Sequence, residues 1–304
     1  MSHAHRRIVV WAIATWTLAV SPSAYPPIRL RAQASPLGSA QDVHALALRL
    51  AAMTAVTGYE QALTDSLLTL LPGARRDRIG DVTLTFGRGA PARLVYCPVD
   101  EPGYVVGGMT ATGYLTLRRV GRPGGDAPFD QQIEGHRVTL FGDRGAVPGV
   151  VGVRSVHLTR GRPTGDQPFV VDHAYVDVGA TSEAEVAALG VRVLTPVALT
   201  KRPHRYGSDL LAAPVAGRRA ACAALVAAAL ARPRVRGTVV VAFTVQSGLS
   251  SNPGLAAVGA VAGPFTETRV AMLPVRFTGT PVETVSLAAA DTLQRNLVAW
   301  MEGR

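Results

Sequence analysis

Leu94 to Val106 reads LVYCPVDEPGYVV, an apolar run that delivers two adjacent carboxylates, Asp100 and Glu101, to what the pattern makes a strand end. Acids in that position hold divalent metals or take protons as general bases. A His-x-Asp arrangement would put an imidazole ligand two residues before Asp100, and that residue is Pro98. Other candidates for chemistry are sparse. The two cysteines, Cys97 and Cys222, fit either a disulfide or two buried thiols, and spacing does not decide between them. His136, His157, His173 and His204 are scattered, so a Cys-His pair has no local support. Ser247-Gly248 offers a hydroxyl, but no Gly-x-Ser-x-Gly elbow surrounds it, and the glycines form no dinucleotide fingerprint.

The elements that must position these residues alternate in type. Ser39 to Met53 has apolar residues at helical spacing, with Ser39 or Asp42 as its cap. Thr57-Gly58-Tyr59-Glu60 makes a turn that opens a second helix to Leu71, stopped by Pro72-Gly73. Asp77 to Thr85 alternates around Gly80 like a strand with a turn at its start, and Leu94 to Val99 reads as a buried strand. Between Tyr104 and Val178 come short strand-like runs (104–106, 114–120, 137–141, 150–153 and 174–178) separated by glycine and proline, the texture of a small β-barrel or sandwich. Ser182 to Leu189 is a short capped helix. Ala216 to Ala231 is an alanine-rich helix, Gly237 to Thr244 a central strand buried on both faces, and Asp291 to Met301 a closing helix; further strands fall in 269–276 and 281–286. This order predicts an α/β fold: a mixed central sheet flanked by helices (residues 35–103 and 196–304) with an inserted small β-barrel domain (residues 104–195).

Several ordered stretches resemble the di-metal aminopeptidases of the glutamyl, deblocking and tetrahedral-assembly kind, from about residue 45 to the end. TGYE at 57–60 is similar to that family's Ser-Gly-x-Glu turn, and DRIGDV at 77–82 to its Asp-x-x-Gly-Asn-x strand, with Asp81 in place of Asn. PVDEPGYVV at 98–106 resembles His-Met-Asp-Glu-x-Gly-Phe-x-Val. AVPGVVGVRSVHL at 146–158 and VDVGATSEAEVAALGVRV at 176–193 resemble the segments that close the inserted domain. APVAGRRAACA at 213–223, TVQSGLS at 244–250 and RFTGTPVETV at 276–285 fall on three more of its motifs.

The resemblance implies two zinc or cobalt ions held by histidine, aspartate and glutamate ligands, with a further glutamate as general base. At those positions this sequence has Pro98, Gly217, Ser247-Gly248 and Gly279; the stretch 254–271, shorter than its counterpart, has Glu267 as its one acid. Proline and glycine offer no side-chain donor. The implied site is therefore degenerate, and the reading is of no bound cofactor and no catalytic or metal-ligating residue. Asp100, Glu101, Arg219, Gln246 and Glu283 are retained around the implied pocket; Asp100 is expected to hydrogen-bond Arg219 or backbone donors, and Gln246 and Glu283 to satisfy buried polar groups. Relocated ligands could come from Asp100, Glu101, Asp209, Glu267, Glu283 and the cysteines, and an active metallo-aminopeptidase hydrolysing N-terminal residues of peptides is the alternative.

Composition sets the setting. The 304 residues are 48% hydrophobic and 17% charged, which is globular. The net charge of +10 is nearly all arginine, with Lys201 the one lysine. The arginines stand singly or in pairs without interleaved aromatics, which argues against nucleic acid as a partner. Arg6-Arg7, the apolar run Ile8–Val20 and small residues at Ala24 or Ala32–Ala34 read as a signal peptide or N-terminal anchor over residues 1–34. The expectation is an exported, periplasmic or extracellular protein, membrane-anchored if uncleaved, that binds a peptide or protein partner and, by the resemblance, forms a homo-oligomer through its inserted domain.

Overall fold

The computed structural model describes residues 42–121, 130–152 and 169–304. The N-terminal segment, Ser39 and His157 lie outside the described residues. Asp42 caps α1 (Val43–Ala52) by accepting from the His44 and Ala45 amides, and α2 (Gln61–Leu70) follows the TGYE turn. The strands β1 (Arg75–Arg76), β2 (Val82–Gly87) and β3 (Ala92–Pro98) come next. The turn expected at the start of the 77–85 strand spans Asp77 to Asp81, where Asp77 Oδ1 accepts from the amides of Ile79, Gly80 and Asp81, and the strand proper begins at Val82.

The chain then enters a closed barrel. Its strands are β4 (Gly103–Met109), β5 (Leu115–Val120), β6 (Arg137–Gly142), β7 (Gly145–Val151) and β8 (Val176–Asp177), then helix α3 (Glu183–Ala188), capped by Ser182, and β9 (Pro196–Leu199). The strand order is β4-β5-β8-β7-β6-β9, and β9 closes the ring by pairing antiparallel with β4. Closure removes sheet edges and leaves the alternate inward residues, among them Val106, Leu117, Val138, Leu140 and Val176, as a core of their own.

The chain returns through β10 (His204–Tyr206) and β11 (Leu210–Ala212) to α4 (Ala216–Leu230) and β12 (Thr238–Thr244). It finishes with α5 (Pro253–Ala262), β13 (Glu267–Val270), β14 (Thr284–Ser286) and α6 (Leu287–Glu302). The main sheet runs β1-β2-β12-β3-β13, with β12 and β13 parallel to β3 and β2 antiparallel to β12, so it is mixed. Successive residues of β12 serve opposite faces: Val239, Val241 and Phe243 join α1, α2, α4 and α6, whereas Val240 and Ala242 meet Leu94 and Val258 of α5. Small alanines let α4 press close to the sheet, and it is buried from Ala216 to Ala229 except at Arg218. The guanidinium of Arg93 donates to the Trp300 and Met301 carbonyls at 2.6 and 2.9 Å, closing the end of α6.

Cys97 at the end of β3 and Cys222 in α4 form a disulfide, with Cα atoms 5.5 Å apart across 125 residues of sequence. The bridge ties the carboxyl end of the sheet to the first turns of α4. A crosslink over so long a loop removes much denatured-state entropy, and a Cys97→Ala/Cys222→Ala variant should lose roughly 2–5 kcal/mol. Urea unfolding checks this; an unchanged midpoint would show that the bridge does not restrain the unfolded chain.

Candidate functional site at the strand ends

The carboxyl ends of β3 and β12 lie side by side, with Thr244 opposite Pro98 and the Val99 amide donating to the Thr244 carbonyl at 2.8 Å. In open α/β sheets this end gathers loops and ligands. Asp100 and Glu101 emerge here, both buried. They face different partners.

Asp100 Oδ2 accepts from the Thr57 hydroxyl and the Gly248 amide, each at 2.8 Å. Its Oδ1 accepts from the Ser247 hydroxyl at 2.5 Å and meets the Arg218 guanidinium at 3.5 Å. Arg218 also donates to the Asp100 carbonyl. Of the two expected kinds of partner, the backbone donor is present in the Gly248 amide, whereas Arg219 is not: the helix turns Arg218 towards Asp100 and Arg219 towards Glu101. One residue along a helix is a rotation of about 100°, so adjacent arginines cannot share one target.

Glu101 sits between two cations. Its Oε2 accepts from Lys201 Nζ and, at 3.0 Å, from Arg219 Nη2; its Oε1 accepts from the Ala55 amide at 2.9 Å. Burial works against the charge of Glu101, and the neighbouring Lys201 and Arg219 overcome it, holding the carboxyl below its ordinary value. Burial brings the Lys201 ammonium down to about 8; Glu101 resists this shift and Arg219 adds to it. Lys201 also donates to the Met53 carbonyl at 2.7 Å. Sequence reasoning passed over Lys201, although being the one lysine among many arginines set it apart.

Glu283 performs a parallel task. Its Oε1 accepts from the Gly217 amide at 3.0 Å and its Oε2 from the Gly279 amide at 3.4 Å. Gln246 stands in left-handed backbone, φ 57°, and its amide donates to Glu60 Oε1 at 2.8 Å. Asp81 Oδ1 accepts from the Val245 amide at 2.8 Å, while its buried Oδ2 has no partner. Burial pushes the Asp81 carboxyl up to about 7, with Asp77 and Glu60 adding repulsion. The other expected donors lie apart: Asp209 bonds Ser286, Glu267 bonds Arg269 and Trp300, and the cysteines bond each other. Between Thr57, Asp100, Arg119, Arg218, Ser247 and Gly248 opens a cleft of about 360 Å³.

The model of the M42 glutamyl aminopeptidases matches residues 80–250, more than half of the chain. The chain belongs to this family. Among curated relatives, SgcX of Escherichia coli (strain K12) is 31% identical over 182 residues, 58% of this chain and 47% of SgcX. The lysyl aminopeptidase of Pyrococcus furiosus is 30% identical over 166 residues, 51% of this chain and 46% of that protein. The chain thus spans about half the length of the curated relatives it matches. Among solved structures, an aminopeptidase from the archaeon Desulfurococcus kamchatkensis superposes with a TM-score of 0.71 at 15% identity, covering 87% of this chain and 96% of that one. The TET1 peptidase of Pyrococcus horikoshii gives 0.66 at 18%, covering 83% and 97%. At such identities these two likenesses show the fold.

Family membership corrects the expectation of no cofactor, because M42 aminopeptidases are metal-dependent and a divalent metal is the group the family implies. The described residues at this end of the sheet do not fit a two-ion site. A Cβ at Gly217 would stand 2.2 Å from Val275 Cγ1, and one at Gly248 would stand 2.6 Å from Thr57 Oγ1, so neither place has room for a longer side chain without movement. Both oxygens of Asp100 and both of Glu283 are taken by donors of the chain itself. Among the described residues no group of three or more His, Cys, Asp or Glu is arranged to hold a metal ion.

Two stability predictions follow from the charges. Glu101→Gln leaves two buried cations without a counter-charge and should cost about 3–5 kcal/mol. Because the folded carboxyl is held below its unfolded value of about 4.3, the contribution of Glu101 is present above that pH and is lost as pH falls through the lower folded value. Denaturant titrations from pH 7 to pH 3 should show the gap between wild type and variant narrowing at the acid end. Asp81 has the opposite sign. Its folded value is raised, so wild-type stability should fall as pH rises from about 4 towards 7. Asp81→Asn keeps an acceptor for the Val245 amide and should remove that fall, gaining on the order of 1–3 kcal/mol at pH 8. Equal slopes for the two proteins would refute this.

Proposed function

We propose that this M42-family chain is an exported, non-catalytic member with a degenerate metal site, which binds a peptide or protein partner at the cleft beside Asp100 and Arg218. One observation carries the reading: at the four positions 217, 247, 248 and 279, the chain presents amides and a hydroxyl to Asp100 and Glu283, so these carboxylates are spent internally. Hydrolysis of a peptide bond needs an activated water and a base to take its proton. Ser247 Oγ is not a base, and it already donates to Asp100. The cleft of about 360 Å³ is still large enough for a side chain or a short extended segment, and Arg218 and Arg119 line it.

Export is supported by the N-terminal pattern of arginines, apolar run and small residues, together with the Cys97–Cys222 disulfide, which persists in oxidising compartments. The TET1 peptidase of P. horikoshii assembles into a tetrahedron or an octahedral shell, which supports a homo-oligomer here.

The test pairs two assays on the purified full chain. Aminoacyl p-nitroanilides are offered with added zinc, cobalt or manganese, and fluorescent peptides of about eight residues are titrated by anisotropy. The expected result is background hydrolysis with every metal and saturable peptide binding, weakened about tenfold or more by Arg218→Ala. Metal-dependent release of N-terminal residues would establish the competing reading of an active aminopeptidase.

A further inference from the structure

Gln246 separates the cleft of Asp100 from a second one. Ser247 and Gly248 line the first, whereas Val245 and Gln246 line the second, a cleft of about 450 Å³ between the TGYE turn and the Asp77–Asp81 turn. Glu60 stands in its wall and is only 5% exposed. Its Oε1 accepts from the Gly58 amide at 2.9 Å and the Gln246 amide at 2.8 Å, which fixes the carboxylate. No other residue among those described donates to its Oε2, and Glu60 lines the cleft. Asp77 lines the same wall, and behind it lies Asp81, whose Oδ2 is buried without a partner.

The cations nearby do not answer these acids. Arg76 is engaged by Asp65, and Arg78 is exposed at the rim and pairs with no carboxylate among the described residues. Burial lifts the Glu60 carboxyl above its ordinary value, as befits a charge lacking a close counter-ion. A metal ion is a poor match, since the described acids do not converge as a donor set.

We propose that this second cleft takes an organic cation, the ammonium or guanidinium of a peptide, on Glu60 Oε2. The inference rests on the peptide-binding reading above and deepens it by naming the ligand class: peptides with a basic group beside the segment held in the first cleft. Gln246 also lines the cleft, and its side-chain amide would serve the peptide that carries the cation.

Isothermal titration calorimetry on the full chain tests it with small probes first. Nα-acetyl-lysine amide, Nα-acetyl-arginine amide, alanine amide and Nα-acetyl-norleucine amide separate side-chain cation, α-amine and bare aliphatic chain. At least one cation should bind about tenfold or more tightly than the norleucine probe. Glu60→Gln, which keeps an acceptor for both amides, should abolish that difference with its unfolding midpoint within a few degrees of wild type. Equal affinities for the cationic and norleucine probes, or a preference that survives Glu60→Gln, would overturn the inference. Octapeptides with lysine or norleucine at one position then separate the two readings. Tight binding of both without discrimination sinks the cation site and leaves peptide binding in place; binding of the small cations with no binding of either octapeptide does the reverse.

Discussion

Glu101 sets the geometry at the carboxyl end of the sheet. A carboxylate taken from water costs several kcal/mol, and attraction to cations repays this only when every oxygen is well partnered. Here the partners come from three places far apart in the chain. Ala55 supplies an amide ahead of the TGYE turn, Lys201 follows the last barrel strand, and Arg219 sits in the first turn of α4. Glu101 itself lies where the chain leaves β3 for the barrel, and Lys201 where it comes back. One buried charge therefore pins both crossings between barrel and α/β layer, and with them the start of α4. Arg219 donates its other amino group to the Val99 carbonyl, so the helix cannot rotate without leaving a buried cation unpaired.

With α4 fixed in this rotation, the neighbouring contacts follow. Arg218 points to Asp100, and the Gly217 amide reaches Glu283. Asp100 in turn gathers Thr57, Ser247 and Gly248, and Glu60 and Asp81 hold the amides of Gln246 and Val245. Val245 to Gly248 is thus held at four consecutive residues by three carboxylates. Hydrogen bonds to charged groups contribute about 1.5–3 kcal/mol each, more than neutral ones. Such a segment is a rigid divider, which explains how Gln246 persists in left-handed backbone that glycine would normally take.

Much of the fold was legible because its signals are local. The apolar run of β12, the alanines of α4 and the caps Asp42 and Ser182 announce themselves within a few residues. Helix α5 gives no sequence signal, since Gly254, Gly259 and a run of alanine and valine carry no 3.6-residue contrast and half of that helix is exposed. The run 150–153 captures only the end of β7, because Pro148 lies inside the strand, opposite Thr139. At the site, residue types were readable and pairings were not. Asp100, Glu101, Gln246 and Glu283 do converge on the strand ends, but the choice between Arg218 and Arg219 depends on helix rotation, and Lys201 meets Glu101 across 100 residues of chain. Asp81 was visible as a departure from asparagine; its orphaned oxygen was not.

The two flanks of the same divider differ in their buried charge. On the Ser247–Gly248 side the acids are matched or exceeded, as Asp100 and Glu101 face Arg218, Arg219 and Lys201, and Arg119 pairs with Asp130. On the Gln246 side Glu60, Asp77 and Asp81 meet no buried cation among the described residues, with Arg76 held by Asp65 and Arg78 exposed at the rim. The polarity follows from where the helix delivers its arginines: both project from the start of α4 towards β3 and neither reaches β2. A chain lying across Gln246 would meet the Arg218 guanidinium on one side and the buried Glu60 carboxylate on the other. Side chains of opposite sign at neighbouring positions then discriminate direction as well as composition, because reversing the chain puts like charges together at both clefts.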